Sequence, residues 1–203
     1  MNVLIVPTDA PTVTGPPQGR WTYADWENLP ADGNRYEIID GVLYMTTAPS
    51  SFHQWVISQL YDLLGGPAKR QAIAYPYFAP IGVIMPGCDP VQPDFVLVRK
   101  ENAAIIRDRR IWGVPDLIVE ALSPGSVAYD QGVKLAAYAR AGVPEYAIID
   151  LAARTVRLYA LAGTGQYGPP REFAPGQTVA FACAPSIEVP ISELFAGAPD
   201  TTL

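Results

Sequence analysis

Histidine is almost missing from this chain: His53 stands alone among 203 residues, and only two cysteines, Cys88 and Cys183, are present. One histidine and two distant cysteines give neither a disulfide framework nor the ligand spacing of a zinc site. Basic residues are also short, with 14 Lys and Arg against 20 Asp and Glu and a formal net charge of −6. That balance counts against tight, nonspecific binding of nucleic acid, because neutralising phosphates supplies most of such affinity. One modest basic cluster remains, at Arg99, Lys100, Arg107, Arg109 and Arg110, with a pair at Lys69 and Arg70. No apolar run approaches the ~18 residues of a membrane span. The first ten residues have no basic head and too short an apolar run for a signal peptide. The expectation is a reduced, cytoplasmic protein. No Gly-x-Ser-x-Gly, phosphate loop or Gly-x-Gly-x-x-Gly occurs, which removes three common enzyme classes.

What is present is ample material for a core, with 49% hydrophobic residues. The length suits one domain. Residues 1–20, rich in Pro, Thr and Gly, read as a flexible N-terminal arm, and 21–203 as a single domain. Trp21–Pro30 predicts a short helix capped by Thr22. Tyr36–Met45 predicts a hairpin turning at Asp40-Gly41. Ser50 or Ser51 caps a helix to about Leu64, ended by Gly65-Gly66-Pro67, with Phe52, Val56, Leu60 and Leu63 on its apolar face. Strands follow within 72–85, at Asp94–Val98 and at Asp116–Leu122. A helix over about 128–141 ends at Gly142. A second hairpin covers Glu145–Asp150 and Thr155–Leu161, and short strands and a final turn at Ile191–Phe195 complete the chain. The order predicts an α/β (α+β) fold with a mixed central sheet flanked by helices.

The stretch Pro115–Pro124 is an apolar strand interrupted by Glu120, and Asp94 heads another apolar strand, Gln92–Val98. Ionised carboxylates are rarely buried without a partner, so each asks which positive charge it faces. Alternation sets Asp94 on a face with Val96 and Val98, and Glu120 with Ile118 and Leu122; neighbouring strands lie only about 4.8 Å apart. Lys134 arrives on the next helix. Two acids and a lysine at one point suit a hard divalent cation and phosphodiester hydrolysis: the cation polarises the phosphoryl group and the lysine orients water. Each residue also has an ordinary reading. Glu120 could pair with an arginine, Asp94 could begin a strand as a turn residue, and Glu37 could be an exposed hairpin acid. Asp130 and Lys134, with Tyr138 on the same face, could form a surface i,i+4 pair. His53 could be a buried residue of a helix start.

Several motifs in order carry a resemblance. They are Arg35-Tyr36-Glu37-Ile38-Ile39-Asp40-Gly41, Ser51-Phe52-His53-Gln54, Gln92-Pro93-Asp94, Pro115–Pro124, Asp130–Tyr138 with Lys134, and Ala139–Tyr146. Together they resemble the Uma family of restriction-endonuclease-like proteins, within the PD-(D/E)XK nuclease superfamily. The resemblance implies a restriction-endonuclease-like core of four mixed strands with extra β-hairpins, DNA as substrate, a homodimer, and Mg²⁺ or Mn²⁺ as cofactor. It implies Asp94 and Glu120 as metal ligands, with Glu37 completing the site. The superfamily lysine is expected two residues after Glu120, where this chain has Leu122; Lys134 is the candidate replacement. Asp130 and Tyr138 would support it, and His53 would contact nucleic acid or the leaving group. A catalytically inactive member acting as a binding or assembly module is the rival expectation.

Overall fold

Period-two alternation in the two central apolar strands sets the layering of this computed structural model, which describes residues 2–7 and 13–199. In chain order, strand β1 (Val3–Ile5) precedes a one-turn helix α1 (Tyr23–Trp26). Thr22 and Asp25 close a reciprocal capping box at its start. Strands β2 (Arg35–Ile39) and β3 (Val42–Thr46) form the hairpin. Its two turn residues, Asp40 and Gly41, both take positive φ, 51° and 72°, as a type I′ turn requires. A Cβ at Gly41 would lie 2.5 Å from the Gly19 carbonyl oxygen, so glycine is needed for space as well.

Helix α2 (Ser51–Leu60) is capped by Ser50, whose Oγ accepts from His53 N at 3.2 Å. It does not end at Gly65-Gly66-Pro67 as the sequence predicts. A π-helical turn over Tyr61–Gly65 carries it into α3 (Gly66–Arg70). Pro67 thereby falls in the first turn of α3, where its missing N–H is not needed. Gly65 packs tightly: an added Cβ would sit 3.1 Å from Pro76 and 3.2 Å from Phe95. The buried stripe is His53, Val56, Ile57, Leu60 and Leu64, while Phe52 and Leu63 are only partly buried.

Strands β4 (Ala74–Phe78), β5 (Gly82–Met85), β6 (Cys88–Val91) and β7 (Phe95–Arg99) follow. A 3₁₀ turn (Lys100–Ile105), β8 (Ile106–Arg107) and β9 (Arg110–Trp112) fill the Arg-rich connection to β10 (Leu117–Leu122). A second π-helical turn, Tyr129–Lys134, leads into α4 (Leu135–Ala141), which stops at Gly142 with φ 93°. Strands β11 (Glu145–Asp150), β12 (Thr155–Ala160), β13 (Arg171–Phe173), β14 (Thr178–Ala180) and β15 (Glu188–Pro190) precede the final turn α5 (Ile191–Leu194).

Among the described residues, the central sheet has six strands rather than four, in the order β13-β12-β11-β10-β7-β4. Within it β10 and β11 are parallel, joined across α4, and the other pairs are antiparallel. The expected extra hairpins join into a second, seven-stranded sheet, β1-β3-β2-β6-β5-β9-β8. One face of the central sheet, through Phe95, Leu97, Leu117, Val119 and Ala121, packs on α2, α3 and the C-terminal strands. The other, through Val96, Val98, Ile118 and Leu122, packs on α4 and the second sheet. Asp94 and Glu120 share the parity of this second face. The arm expected to be flexible is tied down where it is described: β1 pairs with β3, and Val6 and Val13 are buried with Trp21 and Leu43. Residues 1 and 8–12 of that arm lie outside the described residues.

Candidate active site

The antiparallel register Val119↔Phe95 places Asp94, just ahead of β7, beside Glu120 on β10. The Asp94 backbone N–H points at Glu120 Oε2, 3.4 Å away. Asp94 itself is saturated. Its Oδ2 accepts from Ala121 N at 3.1 Å and meets His53 Nε2 at 2.9 Å, while Oδ1 accepts from Arg35 Nη1 at 3.1 Å. His53 reaches it from the first turn of α2 and Arg35 from the first residue of β2.

The ridge Asp130, Lys134 and Tyr138 faces inward, not towards water. Lys134 Nζ donates to Glu120 Oε1 at 2.8 Å and lies 3.2 Å from Glu37 Oε2 and 3.8 Å from Asp130 Oδ1. The ordinary surface pair is thus overturned: ammonium and carboxylates are buried together. Tyr138 OH donates to the same Glu120 oxygen at 3.1 Å. The π-helical turn brings in Tyr129 as well, whose OH donates to Glu37 Oε2 at 3.0 Å. Gln92 N takes the other Glu37 oxygen at 2.6 Å. Leu122, at the superfamily's usual lysine position, is packed in the core. The ammonium beside Glu120 is that of Lys134, carried by the π-helical turn ahead of α4.

Burial drives the electrostatics. Glu120 is pushed well above the usual carboxylate range by desolvation and by Asp94, Asp130 and Glu37, with Lys134 opposing. Asp130 is raised to about 6 by burial, again against Lys134. Asp94 goes the other way: burial would raise it, but His53, Arg35 and Lys134 hold it below the usual range. Burial would also lower Lys134, and the carboxylates Glu120, Glu37 and Asp130 outweigh that and keep it an ammonium. The neighbouring acids are thus split: Asp94 stays ionised while Glu120 retains a proton more readily.

A family model described as "Uma2: Putative restriction endonuclease" matches residues 22–192. The chain belongs to the Uma2 family. This Uma2 protein is similar in fold to a crystal structure titled as a "putative nuclease belonging to DUF820" from Anabaena variabilis, with a TM-score of 0.73. The two are 19% identical over 86% of this chain and 97% of the other. Among curated proteins, none matches.

In this Uma2 chain the candidate residues Glu37, His53, Asp94, Glu120, Asp130, Lys134 and Tyr138 form one connected cluster. Arg35, Tyr129 and Gln92 belong to it too, although sequence reasoning assigned them no role. Arg35 carried one signal, lying two residues before Glu37 and so on the same face of β2. The cluster suits a hard divalent cation by donor type and by charge: four carboxylates face two permanent cations, Lys134 and Arg35. Among the described residues no three His, Cys, Asp or Glu side chains surround one ion-sized point. Asp94 and Glu120 are the pair that would hold an ion, with water or substrate supplying the remaining ligands, as suits Mg²⁺. Glu37 is engaged on both oxygens by Gln92 N and Tyr129 OH, as Asp94 is by Arg35, His53 and Ala121 N, so an ion at Asp94 would have to displace one of those partners.

Proposed function

We propose that this Uma2 protein is a divalent-metal-dependent endonuclease that hydrolyses phosphodiester bonds of DNA at the Asp94–Glu120–Lys134 cluster. The observation that carries this reading is the Lys134 ammonium, buried 2.8 Å from Glu120 Oε1 at the strand end that also bears Asp94. Asp94 and Glu120 are assigned to Mg²⁺ or Mn²⁺, which when bound supplies Lewis-acid polarisation of the phosphoryl group and a more acidic water. Lys134, held as an ammonium, donates to the attacking water or a phosphoryl oxygen; it does not accept a proton. Glu37 and Tyr129 anchor and aim Lys134, and Tyr138 fixes the Glu120 carboxyl. His53 holds Asp94 through Nε2. In the reaction a water oxygen bonds to phosphorus and gives up a proton to solvent water, the P–O bond to the leaving group breaks, and the departing oxygen takes up a proton from solvent. A homodimer in the cytoplasm belongs to the same reading; light scattering on the purified protein would give the mass of two chains.

A second reading, a catalytically inactive binding or assembly module, is favoured by the depth of the cluster. Glu37, Asp94, Glu120 and Lys134 are all buried, with both oxygens of Glu37 and Asp94 occupied by protein donors. Titrating Mg²⁺ against a mixed set of DNA substrates separates the two. The nuclease reading expects metal-dependent cleavage that Glu120→Gln and Lys134→Ala abolish. Metal-dependent cleavage by neither wild type nor variants supports the module.

A further inference from the structure

Of the charged side chains in the cluster, Arg35 alone reaches solvent. Its side chain is 17% exposed, against at most 3% for Glu37, His53, Asp94, Glu120, Asp130 and Lys134. It binds Asp94 Oδ1, the oxygen that no other group takes among the described residues; Oδ2 is already shared by His53 and Ala121 N. The central sheet and α2 therefore hold Asp94 through Oδ2, and Oδ1 is left to the one partly exposed side chain. The guanidinium also comes from β2, which belongs to the second sheet, so the contact bridges the two sheets.

We propose that Arg35 is a displaceable counter-ion that occupies the cation-binding side of Asp94 and, once released, contacts the scissile phosphate. The inference rests on the nuclease reading above and adds a residue and a sequence of events to it. Its first half follows from competition. A divalent cation and a guanidinium cannot both hold the same carboxylate oxygen from the same side, and Arg35 is the cation of the cluster whose side chain is partly exposed. Lys134 is not that cation, because three buried carboxylates and the Tyr129 ring surround its ammonium. The second half follows from donor geometry. A guanidinium is a planar fork that fits a carboxylate and a phosphate equally well, and so exchanges one for the other without leaving the site. Arrival of the cation at Asp94 thus frees a phosphate-binding group at the place where the substrate must enter. That coupling lets so acidic a chain hold a polyanion at one point without a broad basic surface.

The test compares wild type, Arg35→Gln and Arg35→Lys, each checked for folding by thermal melting. Mn²⁺ binding to the DNA-free protein is measured by calorimetry, and cleavage kinetics of a DNA duplex are measured at saturating Mn²⁺. Arg35→Gln removes the competitor, so Mn²⁺ binds at least tenfold more tightly than to wild type, while KM for DNA rises by a similar factor. Arg35→Lys keeps a charge but loses the fork: Mn²⁺ affinity rises by about threefold, less than in Arg35→Gln but measurably, and KM still rises. Should Arg35→Gln not fold, Arg35→Lys carries both readouts. A purely structural Arg35 would weaken Mn²⁺ binding or leave it unchanged in both variants, and that result overturns the proposal while the nuclease reading stands. No Mn²⁺ binding to any of the three proteins overturns both.

Discussion

Lys134 Nζ sits 2.8 Å from Glu120 Oε1 across 14 residues of chain, having come off a helix instead of the strand that bears the acid. The superfamily pattern puts a lysine two residues past the glutamate on that strand, on the same face. Here the position is Leu122, a buried member of the core cluster on that face of the sheet. Lys134 instead reaches Glu120 from the helix that follows.

Removing that ammonium leaves Glu120 and Glu37 buried without their cation. Lys134→Met, which keeps the stem, is expected to lower stability by about 3–5 kcal/mol, the usual penalty for breaking a buried pair from one side. Urea unfolding at pH 7.5 measures it. The companion double variant Lys134→Met/Glu120→Gln is expected to recover part of the loss.

Tyr138→Phe removes one donor from the same Glu120 oxygen and leaves the ring in place. A loss of about 1–3 kcal/mol is expected in urea unfolding, since the acceptor is a buried carboxyl. Cleavage should fall by less than in Lys134→Met, because Lys134 still holds Glu120.

Asp130 gives the fold a pH dependence. Its folded pKa is about 6 against an ordinary 3.8, so the folded state binds the proton more tightly than the unfolded chain. The associated stability is fully present below the unfolded pKa and is lost as pH rises through about 6. Asp130→Asn escapes that loss. It is expected to exceed wild type by on the order of 2–3 kcal/mol at pH 7.5, with the gap closing towards pH 4. Paired denaturation curves across this range give the sign and the midpoint.

Gly65→Ala probes the unbroken helix path. The added methyl would meet Tyr61, Pro76 and Phe95 at 3.0–3.2 Å. Overpacking of this kind costs about 1–3 kcal/mol, and thermal unfolding should show it.

An acid in an otherwise apolar strand made Asp94 and Glu120 legible, and strand parity grouped Asp94 with Val96 and Val98 and Glu120 with Ile118 and Leu122. That the two groups share one face came only with the register Val119↔Phe95. Helical spacing likewise put Asp130, Lys134 and Tyr138 on one ridge, though not which way it faced. Arg35 was hidden for a different reason. Its contact with Asp94 spans 59 residues and depends on how the second sheet docks on the first, a relation with no local signature. The π-helical turns were equally silent, since an extra residue per turn alters hydrogen-bond register without altering composition. Gly65-Gly66-Pro67 read as a stop because punctuation residues usually end helices. Here Gly65 instead admits Phe95 and Pro76 against the helix, and the π turn leaves Pro67 harmless.

Crystals of the protein soaked in Mn²⁺, examined for anomalous scattering, test the central claim most directly. The account predicts a peak between the Asp94 and Glu120 carboxylates, about 2.1 Å from an oxygen of each, with the Arg35 guanidinium withdrawn from Asp94 Oδ1 and Lys134 still on Glu120. Saturating Mn²⁺ that leaves no peak there, with Arg35 still seated on Asp94, would contradict it.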